Sequence, residues 1–286
     1  LARKGIKIYR TFVGNYMTRI DMNGASVSLL AVDDELKTYL DAEANTPALK
    51  LDGSPALPFE FAAQDAAAKQ TANTEVETQA EHAEIQNEQF TIENMRYVVD
   101  VMAACIIKNE VPFCELDAHA GDGDFGMSVA KGFKQLKREW QSLIQAQHMD
   151  EFLLNSSMII MEHCGGASGP IWGSAFRSAS KAIQGKQILS VADFAEMLQA
   201  AVKGIQVTGE RSFGRGAVVG DKTLIDALVP CADSWSANTD KTFKENFVLG
   251  AEAAVKGAES TKEIVARMGR AGTVGAPERQ AADGAD

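Results

Sequence analysis

From Phe90 onward, apolar residues recur at helical spacing. Ile92, Met95, Val99, Met102 and Ile106 share one helix face, and Thr91 stands where a cap is needed. Pro112 is read as the end of that helix. Further amphipathic stretches follow near 126–146, 151–164, 169–184, 190–209, 222–236 and 240–268. Their breaks fall at Gly165-Gly166, at Gly185, between Gly209 and Gly220, and at the tract from Ser236 to Asn238. Strand patterns are nearly absent, so the pattern predicts an all-α bundle of amphipathic helices. Trp140, Phe194, Phe243 and Phe247 are assigned to its packing.

The first 50 residues read differently. Ile6, Ile8 and the run Ser26 to Val32 suggest strands, Gly14-Asn15 and Asn23-Gly24 suggest turns, and Asp33-Asp34-Glu35-Leu36 opens a short helix through Leu40. This unit is too small for a core of its own and looks like the end of a larger domain. The chain also opens in mid-pattern at Leu1, as a fragment or a processed end would. From Pro55 and Pro58 into the Ala-, Gln-, Glu- and Thr-rich tract 62–89, large apolar residues nearly vanish. We read a mobile spacer there, with His82 a surface residue without a role. The expected division is 1–50, a linker over 51–88, and a helical domain over 89–286.

Length leaves room for one or two domains in 286 residues. A net charge of −11 argues against nucleic acid and anionic membranes as partners. No apolar run is long enough to span a bilayer, and no signal peptide is visible. Four scattered cysteines without a CxxC pair read as reduced thiols of a cytoplasmic protein.

Within this helical background one stretch stands out: Leu116-Asp117-Ala118-His119-Ala120-Gly121-Asp122-Gly123-Asp124-Phe125-Gly126. It carries three carboxylates in eight residues, which repel one another unless a cation neutralises them. Hard oxygen ligands suit Mg²⁺ or Ca²⁺ rather than zinc. A calcium EF-hand fails on counting: its twelfth position, which needs Glu, falls on Phe133 from Asp122 or on Ser128 from Asp117. The helix that follows presents free N–H groups and a positive dipole end, which favour phosphate. The stretch therefore reads either as a Mg²⁺–phosphate site or as a solvated acidic turn. His119 and His163 have no second ligand at metal spacing, so structural roles are favoured.

Three other glycine-punctuated junctions lie between the helices. Cys164-Gly165-Gly166-Ala167-Ser168-Gly169-Pro170 is a tight turn whose N–H groups can reach a phosphate. Gly220-Asp221-Lys222-Thr223 looks like the end of a P-loop, but Arg215 occupies the position of the required glycine and no strand precedes it. Arg267-Met268-Gly269-Arg270-Ala271-Gly272 is expected to close the last long helix, with an arginine that either caps it or serves as a phosphate cation.

These motifs, in this order and over about residues 90–286, resemble the nucleotide-binding domain of dihydroxyacetone kinases. Residues 1–50, with Lys7 to Thr11 and Val13 to Thr18, look like the end of that family's substrate-binding domain. The order resembles the single-chain, ATP-dependent branch. The resemblance implies a barrel of about eight antiparallel amphipathic helices, preceded by a small α/β remnant. It implies two Mg²⁺ ions on Asp117, Asp122 and Asp124, and ATP or ADP held by Phe125, Gly126, Met127 and Ser128, by Gly166, Ala167 and Ser168, and by Gly216 and Thr223. Leu224 would pack on adenine, with Arg270 and Asp283 completing the nucleotide contacts. The implied reaction transfers a phosphoryl group from ATP to dihydroxyacetone or a related short ketose or aldose. The body of the substrate domain, with the histidine that holds substrate covalently in this family, is absent, and no histidine here fits that role. A substrate-binding domain in cis or in trans is therefore the expected partner, and a homodimer is one form of assembly. The alternative is an ADP- or ATP-holding or regulatory subunit without chemistry of its own. The terminal Asp283-Gly284-Ala285-Asp286 and the stretch Gly272 to Pro277 depart from the family pattern, which leaves a truncated remnant as a third reading.

Overall fold

The computed structural model describes residues 6–13, 27–47, 49–53, 75–268 and 272. Residues 1–69 and 70–286 form two compact units. In the first, Asp33 caps helix α1 (Asp34–Leu40) by accepting the Leu36 N–H at 2.9 Å. Strands β1 (Ala44–Asn45) and β2 (Lys50–Leu51) form a minimal antiparallel pair. Arg10 and the Tyr9 hydroxyl both meet the Asp41 carboxylate. The strands expected around Ile6, Ile8 and Val27 to Val32 are not formed among the described residues. A strand is stabilised by its neighbour, and the apolar side chains of Val27, Leu29 and Leu30 are exposed rather than buried against one. The turns expected at 14–15 and 23–24, and most of the Pro- and Ala-rich tract, lie outside the described residues.

The second unit is all-helical: α2 (Ile92–Lys108), α3 (Glu110–Ala120), α4 (Phe125–Arg138), α5 (Trp140–Leu143), α6 (Met149–His163), α7 (Ser168–Ala182), α8 (Val191–Phe213), α9 (Ile225–Ala237) and α10 (Phe243–Ser260). Short connections make sequential helices neighbours: α6 packs on α7, α7 on α8, α8 on α9 and α9 on α10. Helix α4 joins this row of helices by packing on α2, α3, α6 and α7. No helix among the described residues is long and apolar enough to cross a membrane.

One end of the bundle is closed by the backbone. Phe90 and Leu189 exchange two hydrogen bonds, at 3.0 and 2.9 Å. The Phe243 N–H donates to Glu88 at 2.7 Å, which ties the start of α10 to the segment before α2. Beneath these links Phe90, Phe194, Trp235, Phe243 and Phe247 form an aromatic cluster, with ring centroids as close as 4.5 Å. Each buried ring contributes on the order of 2 kcal/mol from area alone. The packing roles read for Trp140, Phe194, Phe243 and Phe247 are found. Thr91 caps α2 in a reciprocal box with Asn94.

Several boundaries differ from the pattern. Pro112 does not end a helix; it occupies the first turn of α3, where a missing N–H costs nothing. The expected helix 126–146 breaks at Glu139 between α4 and the one-turn α5. Gly209 does not stop α8, which continues to Phe213 and ends at Gly214 with φ 78°. Helix α9 starts at Ile225 rather than at 222, because Asp226 holds residues 220–223 in a turn. Helix α10 stops at Ser260, followed by a single 3₁₀ turn, Thr261–Glu263, so Arg267 lies beyond its end.

The tail of the spacer tract is attached to this unit. The Glu77 and Thr78 N–H groups donate to Asp100, each at 2.8 Å. Asn94 donates to the His82 and Glu84 carbonyls. His82, expected at the surface, is half-buried on this account.

Candidate functional site

The end of the bundle opposite the aromatic cluster gathers the glycine-rich junctions. Asp117 sits in the last turns of α3, not in a loop. Its Oδ2 accepts the N–H of Asp124 at 2.9 Å and that of Phe125 at 3.2 Å. Asp117 thus caps α4 from the preceding helix, a task the Asp124 side chain does not perform. Between the two helices the chain reverses through Gly121, Asp122 and Gly123. Gly123 has φ +74°, a conformation that L side chains rarely adopt. A Cβ on Gly121 would lie 2.1 Å from Asp117 Oδ1, so the absence of a side chain there makes room for the carboxylate.

The result is one cluster: carboxylate oxygens of Asp117, Asp122 and Asp124 all lie within 4.8 Å of one another. Asp117 is half-buried and the other two are exposed to solvent. Three hard oxygen donors leave coordination positions open for water or for phosphate oxygens, the arrangement Mg²⁺ prefers. The donor set therefore fits that ion.

The first turn of α4 lies close against α3. A Cβ on Gly126 would meet the Glu110 carbonyl at 2.0 Å, and the Met127 N–H donates to Cys114 Sγ at 3.2 Å. Lys134, about two turns further along α4, forms an ion pair with Glu110. The N–H groups of Phe125 and Met127 are thus donated within the protein, to Asp117 and Cys114. Ser128 faces the next junction: the Gly165 N–H donates to the Ser128 carbonyl at 2.9 Å, and a Cβ on Gly165 would sit 2.7 Å from Ser128 Oγ. The turn 164–167, with Gly166 at φ +54°, therefore lies directly beside the acidic cluster's helix, followed by Ser168 at the start of α7.

The third junction joins the same end. Leu224 and Met268 pack in a cluster with Ile171 of the first turn of α7. Arg215 makes a bidentate pair with Asp221 at 2.5 and 2.8 Å, and this guanidinium holds the Asp221 carboxyl below the usual carboxylate range. Asp221 also takes the Val218 N–H, and its carbonyl accepts the Arg267 N–H at 3.1 Å. Asp226, 1% exposed, accepts the N–H groups of Gly220 at 2.6 Å and Thr223 at 2.8 Å. Gly216 packs against α8 at the Gln206 carbonyl.

Of the residues singled out in the sequence, Asp117, Asp122 and Asp124 come together, Ser128 meets the following junction at Gly165, Leu224 packs against the small core that Ile171 of α7 also touches, and Thr223 is held by Asp226. Arg270 and Asp283 lie outside the described residues. Arg215, Asp221 and Asp226, whose contacts organise the third junction, were not read as site residues from sequence. The signal available for them was the failed P-loop pattern, whose charged residues serve the loop's own architecture.

Comparison with known proteins gives a consistent set of matches. A family model described as the DAK2 domain matches residues 119–285, and one described as the Dak1 domain matches residues 1–48. The L-erythrulose 1-kinase of Mycolicibacterium smegmatis is 30% identical over 278 residues, covering 96% of this chain and 46% of that protein. The chain thus spans about half the length of that relative. The PEP-dependent dihydroxyacetone kinase 2, ADP-binding subunit DhaL, of Listeria innocua is 30% identical over 177 residues, 61% of this chain and 79% of that one. The crystal structure of the dihydroxyacetone kinase of C. freundii superposes with a TM-score of 0.50 at 20% identity, covering 80% of this chain and 38% of that one. At that identity the likeness speaks for the fold alone.

Proposed function

Because this chain belongs to the DAK2-domain family, we propose that it supplies the nucleotide-binding part of a Mg²⁺- and ATP-dependent kinase of dihydroxyacetone or a related short ketose or aldose. The observation that carries the reading is the three-carboxylate cluster set against the first turn of α4. Asp117, Asp122 and Asp124 would hold two Mg²⁺ ions. When bound, the metal neutralises charge on the transferring phosphoryl group. The Ser128 hydroxyl, the backbone around Gly126, and the junction Gly166, Ala167 and Ser168 would orient the phosphates, joined by Gly216 and Thr223. Phe125 and Met127 would contribute backbone groups by exchanging their present acceptors for phosphate. Leu224 would pack on the base, and Arg270 and Asp283 would complete its pocket. Relatives named as kinases of dihydroxyacetone and erythrulose support this class of substrate.

Acceptor sugar would come from a substrate-binding domain, in cis or in trans; the Dak1 match to residues 1–48 supports such a partner. A second reading is favoured by the relatives named as ADP-binding subunits: a nucleotide-holding or regulatory chain that acts only with its partner. Adding a family substrate-binding domain in trans, with ATP, Mg²⁺ and dihydroxyacetone, separates the two. Sugar phosphate formed at the expense of ATP supports the kinase reading. Retained nucleotide with no transfer to any short ketose or aldose supports the second.

A further inference from the structure

The unit buries two lysines, and they are treated in opposite ways. Lys137 is 5% exposed, and its ammonium meets Asp100 at 2.5 Å, Glu77 at 3.2 Å and the Glu75 carbonyl at 2.9 Å. Lys222 is 2% exposed, and its Nζ, sealed from solvent, has no hydrogen-bond partner among the described residues. Its backbone is held at φ 61°, a left-handed conformation that costs a non-glycine residue energy and persists only where surrounding contacts enforce it. Those contacts are visible. Asp221 is bound to Arg215, the Asp221 carbonyl to Arg267, and Asp226 to the turns on either side. The two carboxylates nearest in sequence are therefore committed elsewhere, in a chain whose net charge is −11.

A buried, uncompensated ammonium is strongly unfavourable until an anion compensates it. The position of Lys222 indicates which anion. Leu224, two residues on, packs against the same small core as Ile171, which stands in the first turn of α7 soon after Ala167 and Ser168. Helix α9 starts at Ile225, so its positive dipole end adds to the same charge. We infer that Lys222 is a counter-charge for the phosphates of a bound nucleoside di- or triphosphate, held uncompensated in the ligand-free protein by the 215–226 loop. The inference rests on the nucleotide-binding reading above. Because Nζ is sealed, its charge acts through low-polarity protein, where it is felt more strongly than through water. Lys222 is thus a positioning residue for the phosphates rather than a contact ligand, and part of the loop's stability is given up to bind anion.

The test uses the full chain with Lys222→Met, which removes the charge and keeps much of the volume, and Lys222→Asn, which tolerates the left-handed backbone. Calorimetric titration with Mg·ADP and with adenosine is paired with thermal melts of the ligand-free proteins. We expect both variants to bind Mg·ADP at least about tenfold more weakly, as removal of a nearby favourable charge acting through protein does. Adenosine, which has no phosphate, should bind all three proteins alike, and the ligand-free Lys222→Met protein should melt no lower than the parent. Unchanged Mg·ADP affinity in both variants overturns the inference while leaving the nucleotide reading intact. A lower melting temperature with ADP and adenosine weakened in parallel also overturns it, since Lys222 would then be a packing element. Failure of the parent chain to bind either ligand contradicts the nucleotide reading itself, and the inference with it.

Discussion

Asp117 accepts the backbone N–H of Asp124 at 2.9 Å, so one member of the carboxylate cluster fixes the loop that presents another. The same carboxylate caps α4 through Phe125. Folding of the helix pair and assembly of the cluster are therefore one event, and a change that displaces the Asp117 side chain should damage both.

Gly121→Ala makes that change without touching a carboxylate. Its new Cβ would stand 2.1 Å from Asp117 Oδ1, so the side chain must rotate away. We expect Mg²⁺-dependent nucleotide affinity to fall at least about tenfold while loss of the cap costs on the order of 1 kcal/mol. Calorimetry and far-ultraviolet circular dichroism on the same sample check both halves. Full affinity in this variant would mean that Asp117 is dispensable to the site.

The buried pair of Lys137 and Asp100 makes an asymmetric prediction. Asp100→Ala leaves a buried ammonium without its nearest carboxylate and frees the Glu77 and Thr78 N–H groups, and should cost about 3–5 kcal/mol. Lys137→Met leaves Asp100 with three donors, from the Glu77 and Thr78 backbone and the Thr78 hydroxyl, and should cost clearly less. Urea unfolding ranks the two. In Asp100→Ala, amide exchange at Thr78 should also accelerate, because Asp100 accepts that N–H directly.

Acid sensitivity should have a readable source at the start of α8. Burial pushes the Asp193 carboxyl up, but the bonds from Lys186 and Ser190 outweigh it and bring the group down to about 2. A depressed folded-state value means stability that is present above the ordinary carboxylate range and lost as pH falls towards 2. Asp193→Asn should therefore be less stable than the parent at neutral pH, by about 1 kcal/mol for a lost cap. The difference should shrink between roughly pH 5 and pH 2. Chemical unfolding across that range measures it; a constant difference would contradict the assignment.

Thiol reactivity offers a check on packing at the site's edge. Burial pushes the Cys164 thiol up to about 11, and its sulfur lies where a Cβ on Gly132 would be only 2.2 Å away. At pH 8 the exposed Cys105 should react first with a disulfide reagent, and Cys164 only on unfolding. Mass spectrometry after limited labelling distinguishes them.

Much of this architecture was legible because helical periodicity reports burial directly. The face from Ile92 to Ile106 and the capping pair at Thr91 needed no tertiary information. The acidic stretch stood out in sequence, but only as either a metal–phosphate site or a solvated turn; that its three carboxylates converge is what the structure adds. What escaped was decided by context. Pro112 reads as a terminator in isolation, yet in the first turn of α3 its missing N–H has no partner to lose. That misreading hid the helix that carries Asp117. Gly209 reads as a break, yet α8 continues through it because Val202 and Ile205 are already buried on the same helix. The run Val27 to Val32 alternates like a strand, but its neighbours decide whether a strand forms. Lys222 reads only as part of a failed P-loop pattern, and Asp226 is not read at all; both are buried, which sequence does not state.

The most direct test of the account is titration of ATP and ADP into this chain, once with Mg²⁺ and once with EDTA, alongside Asp122→Ala. The account predicts metal-dependent binding in the parent, abolished in the variant with helicity kept. Binding of equal strength in EDTA, or in Asp122→Ala, would contradict the assignment of the three carboxylates to metal.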